Sequence, residues 1–447
     1  MKIHLIGIGG IGVSALAQYY LAKGYDVSGS DLAVSEITDF LKGKGVKIFI
    51  GNSAENISRD LDLVVYSPAV KPDNPEFKKA KELNIKLQSY PEALGELTKE
   101  YYTIAVAGAH GKSTTTAMLA LLMEKAGTDP TVIVGTKLKE FGNSNFRFGK
   151  SPDSKAIVDP RQSRDKFLVI EACEYDSSFL NYSPSIIVIT NVDKEHLDYF
   201  KTFSNVKKAF KDFIMRLPND GFLVFNQDNQ KISNFKFPIS NKFLIKQFSL
   251  KQPEAKKIRK ILRVPGEHNV SNALAVLSVA RILGIPDKIS FKSLSEFNGT
   301  WRRFEIKSGK AENKRITVIS DYGHHPNEIL ATLNAAREKY FKKNIWCIFQ
   351  PHQHQRTYYL FNDFVKVFRQ VKIDNIIITD IYDVAGREVK KINRDVSSEK
   401  LVDAIKKENV KYLPVDQAEK FIKKNIKSGD VLIIMGAGDI YKLAEKF

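Results

Sequence analysis

Short apolar runs that end in glycine or in polar clusters alternate with helix-length amphipathic segments from one end of this chain to the other. A strand that is apolar along its whole length is buried on both faces, and a helix between two such strands returns the chain to the same edge of the sheet. The pattern therefore predicts mostly parallel sheets covered by helices, an α/β fold. With 447 residues, 43% of them hydrophobic, the chain exceeds what one core organises; roughly two to four domains are expected. KIHLIGIG, YDVSGSD, KIFIG and LDLVVYSPA form a first block that closes near LQSYPEALGEL. A second contains YYTIAVAGAHGK, FLVIEACEYD, SIIVITNVDKEH and GFLVFNQD, and ends on the helix NVSNALAVLSVARILG. The third opens at TWRRFEI and holds ITVISDYGHH, IWCIFQPHQH, NIIITDIYDV and VLIIMGAGD. We place the boundaries at 1–98, 99–298 and 299–447. Lys137 to Lys166, polar and basic without a clear period, reads as a long surface loop.

Two of the strand-to-helix junctions are glycine-rich. In LIGIGGIGVSA, Gly7, Gly9 and Gly12 let backbone amides approach a diphosphate without obstruction from Cβ, and the following helix supplies partial positive charge at its N-terminus. Asp31 closes the next strand about twenty residues on, where an acid meets a ribose hydroxyl. The pattern points to a nucleotide diphosphate and leaves open a dinucleotide or a nucleotide sugar; the bland alternative is glycine used only for tight packing. In AVAGAHGKSTTT, Gly108, Gly111, Lys112 and Ser113 set a lysine for terminal phosphates and a hydroxyl for magnesium at a helix start. Only Ala109 and His110 separate the glycines, so a shortened ATP-binding loop is predicted.

FLVIEACE puts Glu171 at the tip of an apolar strand, where proteins with such loops keep a magnesium-linked acid, with Glu174 just beyond. SIIVIT leads to Asn191, Asp193, His196 and Asp198, a second polar tip. One magnesium ion between Ser113 and Glu171 would clamp the phosphates, and a second near Glu171 and His196 would polarise an acceptor oxygen. In the third block, Asp321, His324, His352, Arg356, Asp380, Arg387 and Asp439 crowd the strand tips, the rim at which open α/β sheets bind ligands. Arg302 and Arg303 stand where a closing cleft would reach phosphates, against the plain alternative of solvated linker residues. Gly436 and Gly438 of MGAGDI allow close backbone approach or simply an ordinary turn. Zinc at His324, His325, His352 and His354 is weakly supported, since no cysteine cluster accompanies them.

The net charge of +18 admits nucleic acid, but the lysines are scattered along helix faces without interleaved aromatics, which fits an anionic small substrate better. No run is long and apolar enough for a membrane span and MKIHLIGIGG lacks a signal peptide's features, so a cytoplasmic protein without membrane insertion is expected. Cys173 and Cys347 lie in apolar runs and read as buried strand thiols.

Taken together, GIGGIG, AGAHGKSTTT, IEACEYD, TNVDKEHLD, PGEHNVSNALA, GTWRRFE, DYGHHPNE, FQPHQHQRT, TDIY followed by AGRE, and MGAGDI resemble the Mur ligases of peptidoglycan synthesis, in the family's order and over nearly the whole chain. The resemblance implies a Rossmann-like N-terminal domain, a central P-loop ATPase and a Rossmann-like C-terminal domain. It implies that UDP-N-acetylmuramate binds at Gly9, Gly10, Ile11, Gly12, Asp31 and Ser67. ATP would bind at Gly108, Ala109, His110, Gly111, Lys112, Ser113 and Thr114, with His268, Asn269 and Asn272 on the adenine side and Arg303 reaching a phosphate. Ser113, Glu171 and His196 would hold Mg2+, and Tyr322, His324, His352 and Arg356 would surround an incoming L-alanine. Lys112, Glu171, His196, His324 and Arg356 would then carry the catalysis, with closure bringing the substrates together. The chain departs from the family at Gln353, where an arginine often holds the amino-acid carboxylate. A sister ligase that adds a peptide or another amino acid is the near alternative, and an NAD-dependent oxidoreductase built on the first loop is the distant one.

Overall fold

A computed structural model describes residues 1–150, 166–235, 243–383, 392 and 395–447. The chain separates into two compact units, one of Met1–Ile258 with Ser271–Ser295, the other of Arg259–Val270 with Glu296–Phe447.

The first unit contains two sheets. β1 (Lys2–Ile6), β2 (Asp26–Asp31), β3 (Lys47–Ile50), β4 (Leu63–Tyr66) and β5 (Lys86–Ser89) are all parallel, in the order β3-β2-β1-β4-β5. Strand order reverses between β1 and β4, which opens a crevice beyond their C-terminal ends. The second sheet comprises β6 (Tyr102–Ala107), β7 (Thr131–Leu138), β8 (Ser144–Arg147), β9 (Phe167–Glu171), β10 (Ile186–Ile189), β11 (Phe222–Asn226) and β12 (Leu244–Phe248), in the order β12-β11-β10-β6-β9-β7-β8. Only β8 runs antiparallel to its neighbour. β6, β9 and β10 are buried along their length except at Tyr102 and Glu171, as the unbroken apolar runs require.

The two sheets share one apolar core that runs from Leu5 and Leu16 through Leu94 to Phe146, Ile170 and Ile187. Within it, helix Ile11–Ala22 packs on β7 and β8 through a buried polar knot. Gln18 donates to Asn145 Oδ1 at 3.0 Å and accepts from Ser144 Oγ at 3.0 Å and Lys44 Nζ at 3.1 Å, while Asn145 Nδ2 donates to the Ile11 carbonyl. This corrects the expected loop from Lys137 to Lys166: β7 extends to Leu138, and Ser144–Arg147 forms a strand buried at Ser144, Asn145 and Phe146. The polar residues there face the neighbouring helix rather than water; 151–165 lie outside the described residues. Cys173 is a second correction, because β9 ends at Glu171 and this residue is exposed beyond it, whereas Cys347 is buried in a strand as expected. No helix among the described residues is long and apolar enough to cross a membrane.

The second unit holds β13 (Glu305–Ala311), β14 (Lys314–Asp321), β15 (Ile345–Phe349), β16 (Asn375–Ile378), β17 (Val410–Tyr412) and β18 (Val431–Met435), in the order β13-β14-β18-β15-β16-β17. All pairings are parallel except β13 with β14. Arg302 ties this unit together. It is 5% exposed, its guanidinium donates to the carbonyls of Gly436 and Gly438 at 2.5 and 3.0 Å, and it lies over the rings of Trp301, Tyr322 and Tyr441. Arg302 is thus a structural residue and not the solvated or phosphate-reaching one its position in the sequence suggested. Arg302→Leu leaves two carbonyls without a donor, and we expect urea unfolding to show a loss of roughly 2–4 kcal/mol. Arg302→Lys should recover little of it, because an ammonium cannot reproduce the planar fork between the rings.

Candidate active site

The crevice of the first sheet is built from the ends of β1, β2 and β4. Gly7 and Ile8 both donate to the Ser30 carbonyl, at 2.8 and 3.0 Å, and Gly9 donates to Asp31 Oδ2 at 2.8 Å. The glycines serve different ends. A Cβ on Gly7 would meet Ser67, one on Gly9 would meet the Asp31 carboxylate, and one on Gly12 would strike the Tyr90 hydroxyl. Gly10 alone of the four would meet its neighbours only at ordinary contact distance. With the amides of Gly7 to Gly10 turned inward, the loop leaves the first-turn N–H groups of Ile11, Gly12 and Val13, which a helix cannot satisfy internally. Helix Ile11–Ala22 has no side-chain cap and no acid in its first turn, whereas Ser35 and Ser89 cap the helices Glu36–Gly43 and Tyr90–Lys99. An uncapped N-terminus behind glycine offers free N–H donors and partial positive charge, an environment suited to an anion. Gly9, Gly10, Ile11, Gly12, Asp31 and Ser67 are therefore brought together, with Asp31 committed to the loop itself.

The second loop crosses from β6 into helix Lys112–Lys125, again without a side-chain cap or an acid in the first turn. Gly108 and Gly111 have φ of +138° and +82°, and a Cβ at Gly108 would collide with Thr190 while one at Gly111 would press on the Asn272 amide. Asn191 braces the turn: its carbonyl accepts from Ala109 N, its Oδ1 from His110 N at 2.9 Å, and its Nδ2 donates to the His110 carbonyl at 2.9 Å. Asp193 lies 3.5 Å from His110 Nε2 and 2.5 Å from Lys231 Nζ. Burial works against its charge, yet the contacts with His110 and Lys231 hold its carboxyl well below the usual carboxylate range.

Lys112 folds over the loop, donating to the carbonyls of Gly108 and Ala109 and to Glu174 at 3.0 and 3.2 Å. Burial opposes the ammonium, but Glu174 beside it more than offsets this and keeps Lys112 charged. Burial in turn raises the Glu174 carboxyl, against the pull of Lys112. His196 Nε2 stands 3.6 Å from Glu174 Oε1, at the start of the short helix Leu197–Phe200, with its own φ at +54°. Ser113 Oγ donates to Glu171 Oε1 at 3.1 Å, and Gly135 N donates to Glu171 Oε2 at 2.7 Å. Around this loop, Glu174 thus joins Lys112 to His196, Glu171 joins Ser113 to Gly135, and Asn191 braces the turn between the glycines. A hydroxyl and a carboxylate converging at a bare helix N-terminus form an all-oxygen set that suits a hard divalent cation. The side chain of Asp198 is outside the described set.

In the second unit, Tyr322, His324, His352 and Arg356 form a single cluster at the ends of β14 and β15. His324 Nδ1 is 3.1 Å from the Tyr322 carbonyl, the rings of His324 and His352 are 5.8 Å apart, and Arg356 Nη1 is 3.0 Å from His352 Nδ1. His352 stacks on Tyr382, at 5.7 Å between ring centres. Gln353 sits at φ +71° and its N–H donates to the Tyr382 carbonyl, so the guanidinium of this cluster comes from Arg356. His325 instead caps helix Pro326–Lys339 by accepting from Asn327 N, and His354 faces Asp383 at 3.3 Å. Asp321 is buried and accepts from the N–H groups of Phe304 and Gly323, which makes it a brace for the cluster rather than a member of it. Asp380 and Asp439 likewise bond within the unit, to Tyr412 and Gln350. Arg387 lies outside the described residues. Arg303 rests over the Tyr322 ring at 4.8 Å and 3.9 Å from Glu328. His268 and Asn269 belong to this unit too, and Asn269 Nδ2 donates to the Pro265 carbonyl.

Family models match along the whole architecture: the Mur ligase family, catalytic domain at residues 2–102, the Mur ligase middle domain at 106–280, and the Mur ligase, glutamate ligase domain at 302–438. The chain belongs to the Mur ligase family. This Mur ligase is 41% identical over 467 aligned positions to the UDP-N-acetylmuramate–L-alanine ligase of Clostridium botulinum (strain Hall), which covers 100% of this chain and 97% of that protein. The enzyme of the same name from Alkaliphilus metalliredigens is also 41% identical, over 99% and 96% of the two chains. Among solved structures, the UDP-N-acetylmuramate-alanine ligase of Thermotoga maritima superposes with a TM-score of 0.78 at 28% identity, covering 100% of this chain and 98% of that one. The three sheets of this Mur ligase are the three α/β domains expected.

Two supporting sets were not legible beforehand. Glu174 and Asn191 were visible only as polar residues at strand tips, and nothing local distinguishes a loop brace from a ligand. Gly135 lies inside an apolar run, where a glycine facing a neighbouring carboxylate leaves no sequence signal. For His268, burial lowers the imidazole to about 4, helped by Arg303 and opposed by Glu328. The folded state then favours the neutral ring: its contribution to stability is complete above the unfolded value of about 6.5 and is lost as pH falls towards 4. An NMR titration should place the His268 midpoint near 4, and His268→Gln should flatten the stability profile between those limits.

Proposed function

We infer that this Mur ligase joins the carboxylate of UDP-N-acetylmuramate to the amine of L-alanine at the expense of ATP, releasing ADP and phosphate, in peptidoglycan precursor synthesis. The observation that carries the reading is the pairing within one unit of two bare helix N-termini behind glycine loops, one beside Asp31 and Ser67, the other armed with Lys112, Ser113 and Glu171. A nicotinamide-dependent oxidoreductase would use the first loop and leave the second without a task. The choice of alanine rests on the curated relatives, whose names specify it.

The chemistry follows from the charges. A free carboxylate resists an incoming amine because it is anionic and its oxide is a poor leaving group. A carboxylate oxygen of the muramoyl group attacks the γ-phosphorus, the bond to ADP breaks, and an acyl phosphate results. The alanine nitrogen then adds to the carbonyl carbon, the C–O bond to phosphate breaks, and the amine proton passes to a base. We assign that base to one of two imidazoles, His196 or His324. Lys112 leaves Glu174 for the terminal phosphates, so one buried anion replaces another and the ammonium stays paired. Ser113 and Glu171 would hold one Mg2+, and Glu171 with His196 a second; bound there, the cations offset the repulsion between two anions in contact. His268, Asn269 and Asn272 are assigned to the adenine side, Arg303 to a phosphate, and Tyr322, His324, His352 and Arg356 to the amino acid. A reaction that consumes ATP and a nucleotide sugar is placed in the cytoplasm.

Incubation with ATP, Mg2+, UDP-N-acetylmuramate and L-alanine should release one phosphate per amide formed; AMP as product, or phosphate without amide, contradicts the reading. Lys112→Ala should reduce turnover by about a hundredfold or more, the size expected on losing a preorganised charge at the reacting phosphate.

A further inference from the structure

Beneath the first glycine loop lies a buried polar cluster that none of the roles above uses. Glu76, at the start of helix Pro75–Glu82, is fully buried. Its Oε2 accepts from Ser30 Oγ at 2.6 Å and its Oε1 from Asn56 Nδ2 at 2.6 Å. His4 Nε2 stands 3.7 Å from Oε1, an electrostatic contact longer than a hydrogen bond, and His4 Nδ1 is 2.9 Å from Ser28 Oγ. His4 and Ser30 are also fully buried. Burial alone would raise the Glu76 carboxyl; His4, Ser30 and Asn56 outweigh it and hold the group below its ordinary value.

A buried carboxylate is costly unless its partners are fixed, and these partners are not scattered at random. His4 is on β1, Ser30 is the penultimate residue of β2, and Asn56 in turn donates to the carbonyl of Gly51, just past β3. Ser30 matters most, since its carbonyl carries both Gly7 N and Ile8 N, and its neighbour Asp31 carries Gly9 N. One side chain thus fixes the strand end from which the whole loop hangs. We propose that Glu76 is a positioning residue for the sugar-nucleotide site, holding Ser30 so that the first-turn amides of Ile11, Gly12 and Val13 keep their aim at the diphosphate. This rests on the reading that the first loop binds UDP-N-acetylmuramate.

The test uses the full-length enzyme and two substitutions, Glu76→Gln, which keeps the shape and removes the charge, and Ser30→Ala, which removes only the hydroxyl link. Calorimetric titration with UDP-N-acetylmuramate and steady-state kinetics are compared with the parent. The Kd and KM for the sugar nucleotide should rise about tenfold, the scale on which losing a group behind a binding residue is felt. The KM values for ATP and alanine, and kcat at saturating sugar nucleotide, should stay within about twofold. Combining the two substitutions should cost less than the sum of the single effects, because both weaken the same contact between Glu76 and Ser30. If Glu76→Gln does not fold, Ser30→Ala decides. Unchanged affinity for the sugar nucleotide in folded variants overturns the proposal, as does an equal rise in all three KM values, which would mark a merely structural group. Failure of the parent itself to bind UDP-N-acetylmuramate would instead overturn the assignment of the loop.

Discussion

Helices Ile11–Ala22 and Lys112–Lys125 each begin behind a glycine, with no side-chain cap and no acid in the first turn, and the loops before them are braced from behind. Elsewhere in the same unit, serine, asparagine and threonine side chains satisfy the first-turn amides of Glu36–Gly43, Pro75–Glu82, Tyr90–Lys99 and Phe203–Ile214. At Ile11–Ala22 and Lys112–Lys125 the preceding residue is glycine, which offers no oxygen, and the first turn carries no acid. Each such end retains partial positive charge and several unpaired donors, a state tolerable where an anionic ligand takes the vacant role.

The surrounding residues keep the loops open without filling them. Asn191 and Thr190 bond to the outer side of the Ala109–His110 turn, Asp31 and Ser30 to that of the Gly7–Gly9 turn. Every one of these bonds consumes an amide or carbonyl that would otherwise compete with the ligand, and each fixes the backbone from behind. Lys112 needs a different solution, since a buried ammonium requires an anion at all times. Glu174 provides it, although burial pushes its own carboxyl upward against the pull of Lys112.

How far the sequence discloses this depends on the kind of residue. β6, β9, β10, β15 and β18 are legible because strands buried on both faces must be apolar almost throughout. The edge strands β8, β12, β13 and β17 are not, since one side faces solvent or a polar partner and their composition resembles that of loops. Glycine loops are legible because only a Cβ-free residue adopts φ of +138° against a neighbouring strand. The side chains behind them are not, because Glu76, Asn191 and Gly135 act through contacts with residues distant in the chain.

The sequence by itself determined the parallel α/β architecture, the two glycine-rich loops and the polar strand tips, since each follows from local periodicity or from a backbone conformation that few residues can adopt. Tertiary structure alone decided which polar residues hold the site in shape and which face its ligands. Arg302 turned inward to bond Gly436 and Gly438, His325 to cap a helix, and Asp321 to brace a turn, whereas His324, His352 and Arg356 gathered into one cluster. The physical reason is that a polar side chain's task depends on which donors and acceptors packing leaves beside it, and that is settled only when strands far apart in the chain are set side by side.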